Sequence, residues 1–490
     1  MPTSSSARRT EALFIIIVFL LIAAIATAPA VDSDMWWHLR NGAEMAQQQN
    51  ILLKDIFSYT RAGAPWVNAF WLSDLGLYGL WQLGGPFAIT LGVALLAVAL
   101  MSLLFRHMEG SPYLRGLLLL LAMLGIQPNW SARPQILSFL LLAILDDFLD
   151  RHRMSKRQPL WVLPLFFALW GNLHGGFIWG MLLLLATIVG SGLDLLLSQE
   201  AALSWKDVGV LTLWFFLAGI AIALNPNGFA LWRLPFEQVH VSLGIQEWLS
   251  PDFHQPYAHP LLWLLFLWIA SLAYSVKRPS FVDLLKGLGF TYLFFVAQRN
   301  MEPYTIILLP ILARTLSPAL ESFASVPLIT RLRQRMAEAS SGTRPPSARF
   351  NFLVNTALVT FLATGILFRA WLVSQPHRAA QSLPVGAVEW IKKNRPEGRL
   401  FNSYNWGGYL IWELQEYPVF IDGRADLYGN DLLAQWHEVV NAGPDALAIL
   451  DRWQVHLVLL EPEWPIIPLL EVKGWQVLYR DSLSVVLARP

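Results

Sequence analysis

The stretch VNAFWLSDLGLYGLWQL, residues 67–83, decides how this chain is threaded. It is apolar enough to be one more membrane span, yet it also reads as an amphipathic helix lying on the membrane surface. The positive-inside rule chooses between the two. As a surface helix, it leaves most loop Lys and Arg residues on the cytoplasmic side. As a span, it would invert everything downstream and send most of those cations outside. The surface helix is therefore expected, with eleven spans, a cytoplasmic N-terminus and an extracytoplasmic C-terminus.

Composition sets the class around this stretch. Of 490 residues, 55% are hydrophobic and 14% charged, well above the apolar share of a soluble protein. Apolar runs near 11–29, 87–105, 114–127, 135–149, 160–173, 176–196, 208–224, 260–276, 281–297, 303–318 and 351–373 approach the ~20 residues that cross a bilayer. Pro29 directly after Ala26-Thr27-Ala28 argues against reading the first run as a cleaved signal. The net charge of +1 and the lack of any basic stripe give no sign of nucleic-acid binding. With no cysteine, disulfides, thiolate catalysis and Cys-held zinc are excluded. The expected partner is the bilayer of the cell's inner or plasma membrane.

The expected organisation has four parts: a membrane body over 1–320, a basic cytoplasmic connector over 321–350, a last span at 351–373 and an extracytoplasmic domain over 374–490. The first outer loop occupies 30–86 within the body. In the last part, helical stretches at Val385–Asn394 and Leu432–Asn441 alternate with β-rich runs at Val419–Ile421 and Val455–Leu460, which predicts a small α/β domain.

The cytoplasmic segments read as plainly basic, and the outer loops carry the chemistry. Asp32-Ser33-Asp34 follows the first span and leads into Trp36-Trp37-His38 and Arg40. Further outer clusters hold Arg133, Asn172 with His174, Glu247 and Arg299, each at or just beyond a predicted span end. Polar groups there converge on a wet cavity without the desolvation cost of the bilayer centre. Two carboxylates two residues apart either hold a hard divalent cation or supply a general base. Arg299, Arg133 and Arg40 are the candidate phosphate-binding cations. Asp34, Asp32 and Glu247 are the candidate chemical groups, and His38, His174 and Asn172 are candidate substrate contacts.

The Asp32–Arg40 run resembles the opening of the first outer loop in the oligosaccharyltransferase catalytic subunit, a GT-C glycosyltransferase. Asp55–Thr60, Pro65-Trp66 and the 67–83 helix continue the likeness, and Ser242–Pro251 resembles the loop that presents a Glu. Ser403–Tyr409 resembles the region of the Trp-Trp-Asp-Tyr-Gly signature, which adds Tyr404 and Trp406 to the substrate contacts. Asn405 stands where the signature has Asp, Tyr404 where it has Trp, and the 128–134 loop keeps Arg133 in place of a second acidic motif. Sequon recognition is thus not among the implied properties. The lipid-A aminoarabinose and protein O-mannosyl transferases share the architecture without that signature.

What the resemblance implies is a mainly α, polytopic transferase. It would move a sugar from a polyprenyl-phosphate donor to an extracytoplasmic lipid, glycan or protein, with Mg²⁺ or Mn²⁺ held at Asp32 and Asp34. The competing reading is a transporter or lipid-handling scaffold. Against it stand the absence of an internal repeat and the few charges deep in the predicted spans.

Overall fold

The computed structural model describes residues 5–27, 32–155, 158–197, 202–235, 246–274, 278–324, 348–375, 378 and 381–490. Most of the expected basic connector, and residues 242–245 of the Glu-presenting loop, lie outside them.

Each predicted apolar run is helical over most of its described residues. In chain order the body contains α1 (Ser5–Ala26), the loop helix α2 (Ser33–Gln48), α3 (Trp71–His107), α4 (Pro112–Ile126), α5 (Gln135–Ser155) and α6 (Val162–Leu173). It continues through α7 (Phe177–Leu196), α8 (Trp205–Ala221), α9 (His259–Tyr274), α10 (Phe281–Val296), α11 (Met301–Ala324) and α12 (Ala348–Val373). Helices prevail because hydrocarbon offers the backbone no outside hydrogen-bond partner. Six helices among the described residues are long and apolar enough to cross a membrane on those criteria alone. The chain is a polytopic membrane protein.

The deciding stretch is helical from Trp71 onward, and it runs into the next span through a break. Gly84 and Gly85 leave helical geometry inside α3, Gly85 with φ +58°, and Pro86 follows. A positive φ is inexpensive only for glycine, and proline's fixed φ and missing N–H suit the first turn of the new helix. Other helix starts are written just as locally. Ser111 Oγ accepts from Leu114 N–H, and Ser204 and Asp207 form a reciprocal capping box.

Charge does lie among the helices, gathered at the end of the bundle away from the outer loops. Lys286 Nζ donates to Asp146 and Asp150 at 2.7 and 2.9 Å, and Arg314 bridges Asp150 and Asp283. His107 Nε2 lies 3.1 Å from Asp150. Asp146 and Asp150, one turn apart on α5, present both carboxylates to the neighbouring α10.

Beyond α12 come α13 (Val385–Asn394), β1 (Arg399–Asn402), α14 (Gly407–Glu413), α15 (Ala425–Val440), α16 (Ala446–Arg452), β2 (Val455–Leu460), α17 (Ile466–Val472), β3 (Gln476–Arg480) and β4 (Val485–Ala488). The sheet order is β1-β2-β4-β3, with β1 and β2 parallel and the other pairs antiparallel. Val419–Ile421, read as a strand, joins no sheet. Its backbone pairs instead with the first outer loop, where Tyr59 N–H donates to Val419 O and Val419 N–H to Phe57 O. Thr60 Oγ1 adds a bond to Phe420 O at 2.6 Å.

A buried ion cluster fastens the same junction. Arg424 reaches Asp55 Oδ1 at 2.8 Å and chelates Asp422 through Nε and Nη2 at 2.9 and 2.7 Å. Tyr428 O–H donates to Asp422 at 2.5 Å, and Trp66 and Phe57 flank the guanidinium. The polar turn after Val419–Ile421 is therefore a structural tie that seats the C-terminal sheet on the first outer loop.

Candidate active site

α2 begins where Asp32 accepts the N–H of Asp34 at 2.9 Å, an N-cap that turns both carboxylates toward the neighbouring loop. Arg133, between α4 and α5, meets them there. Its Nε lies 3.1 Å from Asp32 Oδ2 and also donates to Ser131 Oγ. Its Nη1 donates to Asp34 Oδ2 at 3.1 Å and to Glu247 Oε2 at 3.2 Å. One guanidinium thus gathers the three carboxylates that the sequence put in two distant loops. Burial would disfavour its charge, and Asp32, Glu247 and Asp34 outweigh that and raise its pKa.

Asp34 borders a cavity of about 480 Å³ that is also lined by His38, Phe70, His174, Trp248, Arg299 and Tyr404. Burial, the largest effect, pushes the Asp34 carboxyl up to about 6; Arg133 opposes this, and Asp32 and Glu247 add to it. Trp37 Nε1–H donates to its other oxygen at 3.3 Å. A carboxyl titrating near neutrality is suited to taking a proton from an acceptor.

The two histidines are oriented from behind. His38 Nδ1–H donates to Asp74 at 2.7 Å, and Asn41 holds the second Asp74 oxygen at 2.5 Å. His174 Nδ1 accepts from Gly176 N–H at 2.9 Å and from Ser138 Oγ–H at 2.8 Å; Trp170 donates to that same Ser138 oxygen. The backbone donor fixes the tautomer, so the neutral ring carries its proton on Nε2. Burial, helped by the charges of Arg299, His38 and Arg133, holds His174 well below the usual histidine range, hence neutral. The Arg299 guanidinium stacks 4.1 Å over the Trp248 ring.

Not every expected residue arrives. Arg40 pairs along its own helix with Glu44 at 2.5 Å. Asn172 accepts from Trp71 Nε1–H and donates to Leu224 O, which ties α6 to the start of α3 and to the loop after α8. Trp406 is buried and its indole N–H donates to Ser382 O, so it packs the domain rather than lining the cavity; its neighbours Tyr404 and Asn405 do line it. Sequence reasoning missed Asp74, whose only signal was a lone carboxylate early in an apolar helix; Gly423 and Asp426, part of the Asp422–Asp426 polar turn that the sequence leaves open between a structural turn and an acceptor contact, border the cavity.

Metal ligation is the expectation this geometry fits least. The oxygens that a hard cation would share at Asp34 and Glu247 are the ones that converge on Arg133 Nη1. Among the described residues, one group of His, Asp or Glu has ligand atoms all within 4.8 Å of one another: His107, Asp146 and Asp150. That group could hold a metal ion by spacing, but Lys286 already supplies a cation there.

No family model and no curated protein sequence matches the chain. Solved structures do. The archaeal oligosaccharyltransferase AglB from Archaeoglobus fulgidus, in complex with an inhibitory peptide and a dolichol-phosphate, superimposes with a TM-score of 0.62 at 13% identity, over 99% of this chain and 75% of that one. The apo form of the Archaeoglobus fulgidus enzyme gives 0.58 at 13% identity, over 97% and 74%. This chain has the GT-C fold. Its likeness to the oligosaccharyltransferase runs through the membrane body and on into the C-terminal region.

Proposed function

We propose that the chain is a GT-C glycosyltransferase that moves a sugar from a polyprenyl-phosphate-linked donor to an acceptor outside the cytoplasm. The observation that carries this reading is one cavity at the helix ends that holds a near-neutral carboxylate, Asp34, together with a cation, Arg299, and a neutral imidazole donor, His174. Phosphate oxygens suit Arg299 and the His174 Nε2–H; an acceptor hydroxyl or amine suits Asp34.

An apolar groove of about 360 Å³, lined by Leu182, Leu185, Val189, Phe290, Tyr292 and Leu293, runs between α7 and α10. Those helices begin just after His174 and end just before Arg299, so an isoprenoid tail in the groove would bring its phosphate to the cavity. The dolichol-phosphate and peptide bound by AglB support a lipid carrier and an outer acceptor here. The cavity lies at helix ends, away from the midplane position usual for a transporter's site.

In this reading residues 1–320 form the catalytic body, 321–350 a cytoplasmic connector, 351–373 the last span and 374–490 an acceptor-side domain. The N-terminus is cytoplasmic and the C-terminus is outside. Alkaline phosphatase fused after Pro490 should be active and green fluorescent protein dark; the reverse pair overturns the orientation.

Mass spectrometry of glycans, glycolipids and glycoproteins from cells with and without the gene tests the activity. A sugar-bearing product should vanish with the gene and return with the wild type but not with Asp34→Asn. Unchanged profiles would overturn the assignment.

A further inference from the structure

The geometry points to Arg133 as a built-in cation that takes the place of a divalent metal at the Asp32, Asp34 and Glu247 cluster. The proposal deepens the sugar-transfer reading and rests on it only for its catalytic meaning; the ion-binding claim stands by itself.

Three carboxylates gathered from two loops at the edge of a half-open cavity need a counter-charge. Mg²⁺ and Mn²⁺ would supply it through oxygen ligands at about 2.0–2.2 Å. Here a fixed side chain already does so. Nη1 lies within 3.2 Å of Asp34 Oδ2 and Glu247 Oε2, and Nε lies 3.1 Å from Asp32 Oδ2. Arg133 is not a mobile visitor: Ser131 Oγ, two residues away, accepts from its Nε. A guanidinium remains protonated at any physiological pH, so its charge is permanent.

The ligand atoms of the three acids also fail to come together as a metal shell requires. Among the described residues they are absent from the groups whose donors all lie within 4.8 Å of one another. A divalent ion placed about 4 Å from a fixed unit charge is disfavoured by about 30-fold even with the screening of bulk water, and by more in a buried site. Arg133 and a metal therefore compete for one position. Arg133 acts as a positioning residue: it offsets part of the charge of Asp32 and Glu247 and holds Asp34 in place, and the cavity's other cation, Arg299, faces the donor phosphate.

Mn²⁺ binding to the purified full chain in detergent, followed by electron paramagnetic resonance, tests this without any sugar donor. Wild type should show no Mn²⁺ site that Asp34→Asn removes. Arg133→Met should gain one such site, tightened about 30-fold or more, and Arg133→Met/Asp34→Asn should lose it again. A wild-type site that Asp34→Asn abolishes overturns the proposal, and so does a folded Arg133→Met that gains none. Arg133→Gln serves if the Met variant misfolds, and the wild-type comparison decides if neither folds.

With transfer in hand, EDTA should leave the wild-type rate unchanged; a wild-type rate lost to EDTA and restored by Mn²⁺ would also overturn the proposal. Failure to find any transfer counts against the proposed function and leaves the Mn²⁺ result intact.

Discussion

Gly423 lies against Asp34 so closely that a Cβ at Gly423 would stand 1.9 Å from Asp34 Oδ1. The C-terminal domain therefore forms one wall of the site. Just before Arg424, whose buried ties hold the domain on the first outer loop, the chain comes to rest on the carboxylate. Tyr404 and Asp426 line the cavity from the same side.

Gly423→Ala should impair the proposed transfer without unfolding the protein. The new methyl must displace Asp34 or the turn, and a misplacement of about 1 Å costs about 10²-fold in rate. Transfer kinetics on purified protein, with thermal unfolding as the control, check this. A variant with wild-type kcat would mean that Asp34 has room to move without consequence.

Asp34→Asn keeps the shape of the side chain and removes the base, so kcat should fall by about 10²–10⁴-fold. The pH profile carries the sign. Because the folded protein raises this carboxyl from 3.8 to about 6, the active, ionised form accumulates as pH rises through about 6, and the rate should rise with it. Stability runs the other way. The group's contribution is fully present below its ordinary pKa and is lost as pH rises through about 6. Asp34→Asn should abolish the acid limb of the profile and leave the protein at least as stable at pH 7.

The helices of the body were readable because a bilayer leaves the backbone few options, and six of them among the described residues are long and apolar enough to cross one. Much of the site was readable because Asp32, Asp34, Arg133, His174, Glu247 and Arg299 are polar residues at the edges of those runs, where membrane depth already constrains them. The rest depended on directions that spacing does not encode. Trp406 and Tyr404 are two residues apart, yet one indole turns inward to Ser382 while the phenol lines the cavity. Arg40 had a nearer partner one turn along its helix. Gly423 contributes by having no side chain, which no list of chemical groups would select. The Lys286 network was hidden because its carboxylates, Asp146 and Asp150, stand on one helix and the ammonium that pairs with them on another.

Arg424→Met should separate the C-terminal domain from the first outer loop. The change leaves Asp55 and Asp422 buried without their cation, a loss of about 3–5 kcal/mol when one partner of a buried pair is removed. A lower unfolding temperature and new proteolytic cleavage between residues 53 and 66 would report it. An unchanged melting curve would mean that the backbone pairing of Tyr59 with Val419 suffices to seat the domain.

Lys286→Met should destabilise the membrane body in the same way, because Asp146 and Asp150, neighbours on α5, would lose the α10 ammonium that both of them bind. The expected loss is again about 3–5 kcal/mol. Lys286→Met combined with Asp146→Asn should recover part of it. Detergent-resistance and thermal-unfolding assays distinguish this from a catalytic effect, since the network lies at the opposite end of the bundle from the cavity.

Arg299 should matter to the donor more than to the acceptor. Its guanidinium borders the cavity and rests on the Trp248 ring, which limits its rotamers. A charge-assisted hydrogen bond to phosphate is worth about 1.5–3 kcal/mol, so Arg299→Ala should raise the KM for the polyprenyl-phosphate sugar by about 10- to 100-fold. Arg299→Lys keeps the charge but loses the flat stack and the forked donors, and it should recover only part of that affinity. Acceptor KM and the pH profile set by Asp34 should stay near wild type in both variants. If Arg299→Ala instead leaves donor KM unchanged and raises acceptor KM, the two ends of the cavity have been assigned the wrong way round.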